Sequence, residues 1–446
     1  MQEAPSFSSY DQYLYSPLIQ LQTHHTFSPA SFLSSRLGAN IEYGSVFVAS
    51  GTKIYHLQVN ELLLEQKQKF RVHEETTRDE RDVNKKRCKG TDSSVDKLVH
   101  SYLGTTNNWI PENVPGEFSL EPIKHISHRC EVQSLQVRRC SNREFQIASV
   151  DGWGRAVISM ANCSPEDNSI GSPRNSYAIA PISMEDGEEG WAGLDLDPWH
   201  LSRIAIVRQF FRDLTIYDKD LATRQLALSY TPHAVRFLSN TWNDISLDND
   251  DTSKANNFCH LVACLEGPYL SIWDTRVGEG GGRIHHKCYG NGSLYGIDIG
   301  HRGSLSVGGV DRMVSILDLR TWNVRCRWNH CLKYECKHVL FPEKEECRCI
   351  VVGVDNELSC GYVGNLQREQ VLLSEKRPRM MSGANLVSCK RIFGFRADSR
   401  WIGVTKQFVN GYSHILGMSE NGCLYWLKME TFSDSNNSHQ EAFFLE

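Results

Sequence analysis

Two arginines recur at one position of a repeated pattern, and their chemistry is recognition. Asp274-Thr275-Arg276 and Asp318-Leu319-Arg320 each close a run of alternating apolar residues. A guanidinium two residues beyond a carboxylate has two uses. It can fold back onto its own aspartate, a surface pair of little energy, or offer a planar donor fork to a carboxylate on another molecule. Other reactive sets are less coherent. Cys326, Cys331 and Cys336, with His330, His338, Cys347 and Cys349, invite a zinc reading. Zinc wants four S/N ligands that begin with a close cysteine pair. No second compact pair follows, and Cys347 and Cys349 at alternate strand positions would share one inward face. These are read as buried thiols, with no metal site. Gly278 to Gly282 lies between two strands, without the helix N-terminus that cradles phosphate. Gly-x-Ser-x-Gly, His-Glu-x-x-His and Walker-type motifs are missing. His24-His25 and His285-His286 have no carboxylate close by in sequence. The expectation is a protein with no catalytic residues and no cofactor.

Composition agrees with a binding role. The chain has 446 residues, 40% hydrophobic, 23% charged and 10% aromatic, with net charge -5. That is ordinary globular composition, without the basic excess of a general nucleic-acid coat. Lys376-Arg377-Pro378-Arg379 and Arg36 add local positive charge on loops, and Trp191, Trp242, Trp401 and Phe408 supply aromatics. If they converged they would suit RNA or a phosphopeptide; singly they are solvated loop charges and core rings. No apolar run reaches the length of a membrane helix, and the segment Met1 to Phe7 lacks the marks of a secretory signal. Fifteen scattered cysteines then read as reduced thiols, and the expected location is nucleus and/or cytoplasm.

The elements that must position the arginines are short strands in hairpins. Ser304 to Arg320 runs strand, turn at Asp311, strand; His260 to Arg276 repeats the scheme about Glu266-Gly267-Pro268. Five more copies follow: Val46 to Val59, Phe145 to Met160, Arg203 to Asp218, Cys349 to Val363 and His414 to Lys428. A turn acid recurs at Asp151, Asp311, Asp355 and Glu420. An extra strand precedes several hairpins (190 to 197, 293 to 299), and an outer one follows (224 to 230, 323 to 328). Units of four strands in tandem predict a β-propeller. At roughly 40–45 residues per blade, seven blades take about 300 residues. The excess falls in identifiable segments: 1–17, a charged, unstructured insertion over 60–128, a polar insertion over 161–189, a stretch from Asn243 to Asn257, and 430–446. The propeller is therefore expected over 18–429. Ser164-Pro165 and Ser172-Pro173 are candidate phosphorylation sites, and Lys85-Lys86-Arg87 is a minimal import-like cluster. Ring closure should pair Leu18 to Gln22 with the last blade, because a closed ring leaves no inner edge unpaired.

The endings Ile272-Trp273-Asp274, Ile316-Leu317-Asp318 and Ile216-Tyr217-Asp218 resemble the WD-repeat family, as does Asp311 seven residues before Asp318. The likeness is carried by residues 190 to 330. It implies an all-β, seven-bladed propeller of WD-repeat type with long loop insertions, in which Asp151, Asp311, Asp355 and Trp273 stabilise turns. The family's Gly-His pair before the first strand is absent, with Gly290-Asn291-Gly292 in its place in blade five. The usual Asp-His-Ser-Trp network is therefore not expected in any blade. Tandem Asp-x-Arg boxes also resemble the substrate receptors of cullin-type ubiquitin ligases. There Asp274, Arg276, Asp318 and Arg320 would meet the ligase's triple-propeller adaptor. Leu317 replaces the aromatic of the box in blade five, and blade four has its acid one residue early, at Glu266. The implied function is a non-catalytic protein-interaction scaffold, monomeric within a larger complex, either a ligase receptor or a fixed subunit of an RNA-processing, nuclear-pore or trafficking assembly.

Overall fold

The computed structural model describes residues 18–29, 31–59, 111–140, 144–162, 173–182, 189–238, 260–278, 282–300, 303–342, 348–363, 387–388 and 390–430. Seven antiparallel four-stranded sheets follow one another along the chain. Blade one comprises Leu37–Asn40, Ser45–Ser50, Lys53–Gln58 and Glu121–Pro122. Blade two comprises Val132–Arg139, Glu144–Asp151, Ala156–Asn162 and Arg174–Ile179, and blade three Ala192–Leu196, Arg203–Arg208, Asp213–Asp218 and Leu221–Ala227. Blade four holds Pro232–Leu238, Leu261–Glu266, Tyr269–Asp274 and Arg283–Cys288; blade five holds Leu294–Ile299, Ser304–Gly309, Val314–Asp318 and Asn323–Trp328. Blade six is Cys336–Leu340, Arg348–Gly353, Glu357–Tyr362 and Lys390–Arg396. Blade seven is Trp401–Val409, Tyr412–Ser419 and Cys423–Glu430, completed by Leu18–Thr23. The molecule is a seven-bladed β-propeller.

Closure pairs the expected strand with the last blade, antiparallel from Leu18 opposite Leu427 to Gln22 opposite Cys423. Leu18, Ile19 and Leu21 are buried by it, and such side chains stabilise by about 1.5–3 kcal/mol each. The apolar cores lie between blades. Val314, Ile316 and Trp328 of blade five, for instance, pack on Val339, Cys349 and Val351 of blade six. The first strand of each blade lines a central channel of about 430 Å³. Two blades carry a fifth strand: Glu112–Phe118 runs parallel to Leu18–Thr23, and Val387–Ser388 runs parallel to Asn323–Trp328.

Turns between second and third strands, and the connections between blades, lie on what we call the upper face. Turns between first and second, and between third and fourth strands, lie on the lower face. On the upper face carboxylates tie down the incoming chain. Asp151 contacts His128 Nδ1 at 3.3 Å, Glu266 accepts the N–H groups of Ser229 and Tyr230, and Asp311 accepts that of Asn291. Glu357 accepts the N–H of Lys333, and Glu420 pairs with Arg400 at 3.0 Å. Asp355 serves only its own turn, accepting the Glu357 N–H.

Three expectations are corrected. His128, preceded by Ser127 rather than glycine, also bonds Ser149 Oγ at 2.7 Å, so blade two has the Asp, His and Ser of the network expected nowhere. Arg36 is no loop charge: its side chain is fully buried against Glu131, 2.8 Å away. Trp191 and Trp401 are core rings, as expected. Residues 112–118 and 121–122, within the segment expected to be unstructured, form strands, as do 174–179 within the second insertion. Edge pairing supplies what their polar composition does not, because an open strand accepts backbone from any sequence. Residues 1–17, 60–110, 163–172, 376–379, 431–446, Trp242 and Cys347 lie outside the described residues.

Candidate partner interface

Arg276 and Arg320 occupy the same place in adjacent blades, the turn after the third strand, and so share the lower face. Their side chains are 64% and 67% exposed. The turns are built by their aspartates. Asp274 Oδ1 accepts the Arg276 backbone N–H at 3.0 Å, and Asp318 Oδ1 accepts that of Arg320 at 2.8 Å. This is the local side-chain-to-backbone bond that favours Asp in turns.

The two forks differ. Arg276 is bidentate on Asp274, with Nε–Oδ1 3.0 Å and Nη2–Oδ2 2.7 Å. The hydrogen bond from Arg276 is the main reason the Asp274 carboxyl lies below its ordinary range. In blade five Asp318 is held mainly by Arg325 of the fourth strand, at 2.7 Å, while both Arg320 contacts stretch to 3.4 Å. Burial would raise the Asp318 carboxyl; the bonds from Arg325 and Arg320 prevail and bring it down to about 2. Arg320 is therefore the freer donor, since Asp318 keeps a cation if it leaves. Arg325 escaped the sequence reading because its partner lies seven residues away across a hairpin, where only strand register brings them together.

Blade four's turn is locked to blade three. Arg203 donates to Thr275 Oγ1 at 2.9 Å and to Asp197 at 3.3 Å, and Arg224 donates to the Thr275 carbonyl. Around these bonds the lower face exposes Trp199, Leu201, Leu221 and Val277, a set that the sequence reading did not single out. Strand alternation predicts inward residues; Trp199, Leu201 and Val277 sit in turns, where it gives no signal, and Leu221 begins the largely exposed outer strand of blade three. Trp273, expected as a turn residue, is a buried core ring with the Arg283 guanidinium 5.4 Å above it.

Charged residues line the channel, and two carboxylates among them are paired with cations. Asp195 pairs with Arg236 at 2.6 Å and accepts the Phe237 N–H; Asp298 pairs with Lys406 and accepts the Phe341 N–H. Each carboxylate thus fastens the first strand of the following blade. The thiols are buried between blades five and six, with Cys331 and Cys336 Sγ 3.3 Å apart. The bond to Cys331 and then burial push the Cys336 thiol up, and burial does so for Cys349. Among the described residues no group of three or more His, Cys, Asp or Glu is placed to hold a metal ion, and no helix is long and apolar enough to cross a membrane.

No protein-family model matches the chain, and no curated protein matches it in sequence. Among solved structures it is similar to a chain in the crystal structure of a mitotic checkpoint complex. The two are 10% identical, the match covers 96% of this chain and 97% of that one, and the TM-score is 0.53. At that identity the likeness concerns the fold.

Proposed function

We propose that the protein is a non-catalytic interaction scaffold that docks a partner protein on its lower face through Arg276 and Arg320. The observation that carries this is the repetition of an exposed guanidinium at one position of two neighbouring blades. Aspartates hold both at their bases, and exposed apolar side chains of blades three and four lie on the Arg276 side of the pair. Donor forks held in place suit partner carboxylates, and apolar surface at the same face supplies area. In its sharpest form the partner is the propeller adaptor of a cullin-RING ubiquitin ligase, and the upper face takes the substrate. Nucleic acid enters only through such partners.

A second reading is supported by Trp199, Leu201, Leu221 and Val277: a fixed subunit of an RNA-processing, nuclear-pore or trafficking assembly would bury them permanently. One experiment separates the two. The tagged protein and its Arg276→Ala/Arg320→Ala variant are purified from cells and their partners quantified by mass spectrometry. The receptor reading expects adaptor and cullin with the wild type and their loss from the variant. A different stoichiometric assembly, retained by both, would overturn it and make the arginines turn-stabilising pairs.

A further inference from the structure

The fourth strands form the rim of the ring, and each ends a sheet in an edge that can take another strand. The chain covers two such edges itself, with Glu112–Phe118 in blade seven and Val387–Ser388 in blade five, and both added strands run parallel to the rim strand. The edge of blade four, Arg283–Cys288, has no fifth strand among the described residues. It is six residues long. Blade one ends instead in a two-residue strand closed by Pro122, and blade two's rim strand is irregular between Arg174 and Tyr177.

The register shows what this edge offers. The Tyr289 N–H donates to the Pro268 carbonyl, and Lys287 and His285 lie opposite Leu270 and Ile272. In an antiparallel ladder alternate residues bond inward. Tyr289, Lys287 and His285 form that inward set, so His286 and Cys288 turn their N–H and C=O away from the blade. Arg283, His285, His286 and Lys287 share the strand with no acidic residue, and Ile284 is 51% exposed. Neighbouring rings fix these side chains. Arg283 bonds Ser229 Oγ and lies over Trp273, His285 stacks on Trp322, and His286 stacks on Tyr269 at 4.5 Å.

We infer that the rim of blade four binds an extended acidic segment of a partner protein, which adds as a fifth, parallel strand. Its backbone would bond at His286 and Cys288, its carboxylates would meet Arg283 and Lys287, and an apolar side chain would cover Ile284. Main-chain bonds give such complexes their affinity and side chains their selectivity. A second copy of the chain is disfavoured, because edge-to-edge pairing would set basic strand against basic strand. The rim is separate from the lower face, so this site stands whether or not Arg276 and Arg320 dock a partner.

The test uses the full chain as bait for a phage-displayed library of random peptides of about twelve residues, with enriched peptides then synthesised and titrated by fluorescence anisotropy. The expected peptides alternate Asp or Glu with β-branched residues. Their affinity should fall about tenfold or more, at least 1.4 kcal/mol, in Arg283→Glu/Lys287→Glu and in His286→Pro, and hold in Arg276→Ala/Arg320→Ala. The charge-reversed variant keeps the strand's backbone, and unchanged thermal unfolding certifies its fold. A photo-crosslinker at the peptide's N-terminal end should label the Arg283 end of the strand. Enriched peptides without acidic residues, no enrichment, or acidic peptides that ignore the charge reversal would each overturn the proposal.

Discussion

Replacing Lys337 by methionine should stabilise the protein at neutral pH, and the gain should vanish in alkali. Lys337 lies in the first strand of blade six, 4% exposed, with its ammonium donating to the Trp401 carbonyl at 3.0 Å. Burial, and then the positive charge of Arg36, lower its pKa from 10.5 to about 7; Glu420 opposes them and Arg400 adds to them. At about 1.4 kcal/mol per pH unit, holding that proton in the folded state costs about 5 kcal/mol. Between pH 7 and 10.5 the unfolded chain keeps the proton and the folded chain does not, so wild-type stability rises with pH there. Below that window both states are protonated and the full penalty applies. Lys337→Met removes the penalty and leaves the Trp401 carbonyl short of a donor, a loss of about 1 kcal/mol. The net gain should be about 4 kcal/mol below neutrality, shrink by about 1.4 kcal/mol per pH unit, and turn slightly negative once wild-type Lys337 is neutral in both states. Denaturant unfolding of both proteins in reductant, at pH values of about 6.5, 8 and 9.5, measures it. Titrating cysteines cancel in the difference. A variant less stable at neutral pH, or a difference that does not move with pH, would refute the argument that Lys337 is a buried and poorly compensated charge.

Asp318 gives the opposite dependence: its carboxyl is held at about 2 against an ordinary 3.8, so its stabilisation is complete above pH 4 and is lost as pH falls toward 2. Asp318→Asn should cost about 2 kcal/mol at neutral pH and flatten the acid limb of the stability profile in denaturant titrations. His128→Ala should cost about 2–3 kcal/mol by leaving Asp151 and Ser149 without their buried partner. A double-mutant cycle with Ser149→Ala should show coupling between them, whereas additivity would mean that the 2.7 Å contact carries no energy. Gly361→Ala should destabilise by about 1–3 kcal/mol, because a Cβ there would lie 2.5 Å from the Trp328 ring; equal melting temperatures would show that the ring can move aside.

The sequence alone determined the propeller. Alternating apolar residues mark strands buried on one or both faces, and period two is a local property that needs no partner to be read. It also placed the hairpins and the closing strand, because a closed ring leaves no inner edge unpaired. It located the arginines too, since Asp274 and Asp318 act on backbone two residues away. Only the tertiary structure decided how those arginines differ. Arg325 takes Asp318 and loosens Arg320, while Arg276 keeps Asp274 to itself. It likewise buried Arg36 and Lys337, joined Asp298 to Lys406, and bonded Gln407 to the Ile41 N–H across the ring closure. Those partners belong to different hairpins, and their separation along the chain reflects insertion lengths. What brings them together is the packing of blades side by side, which strand periodicity implies but whose charge pairing it does not encode.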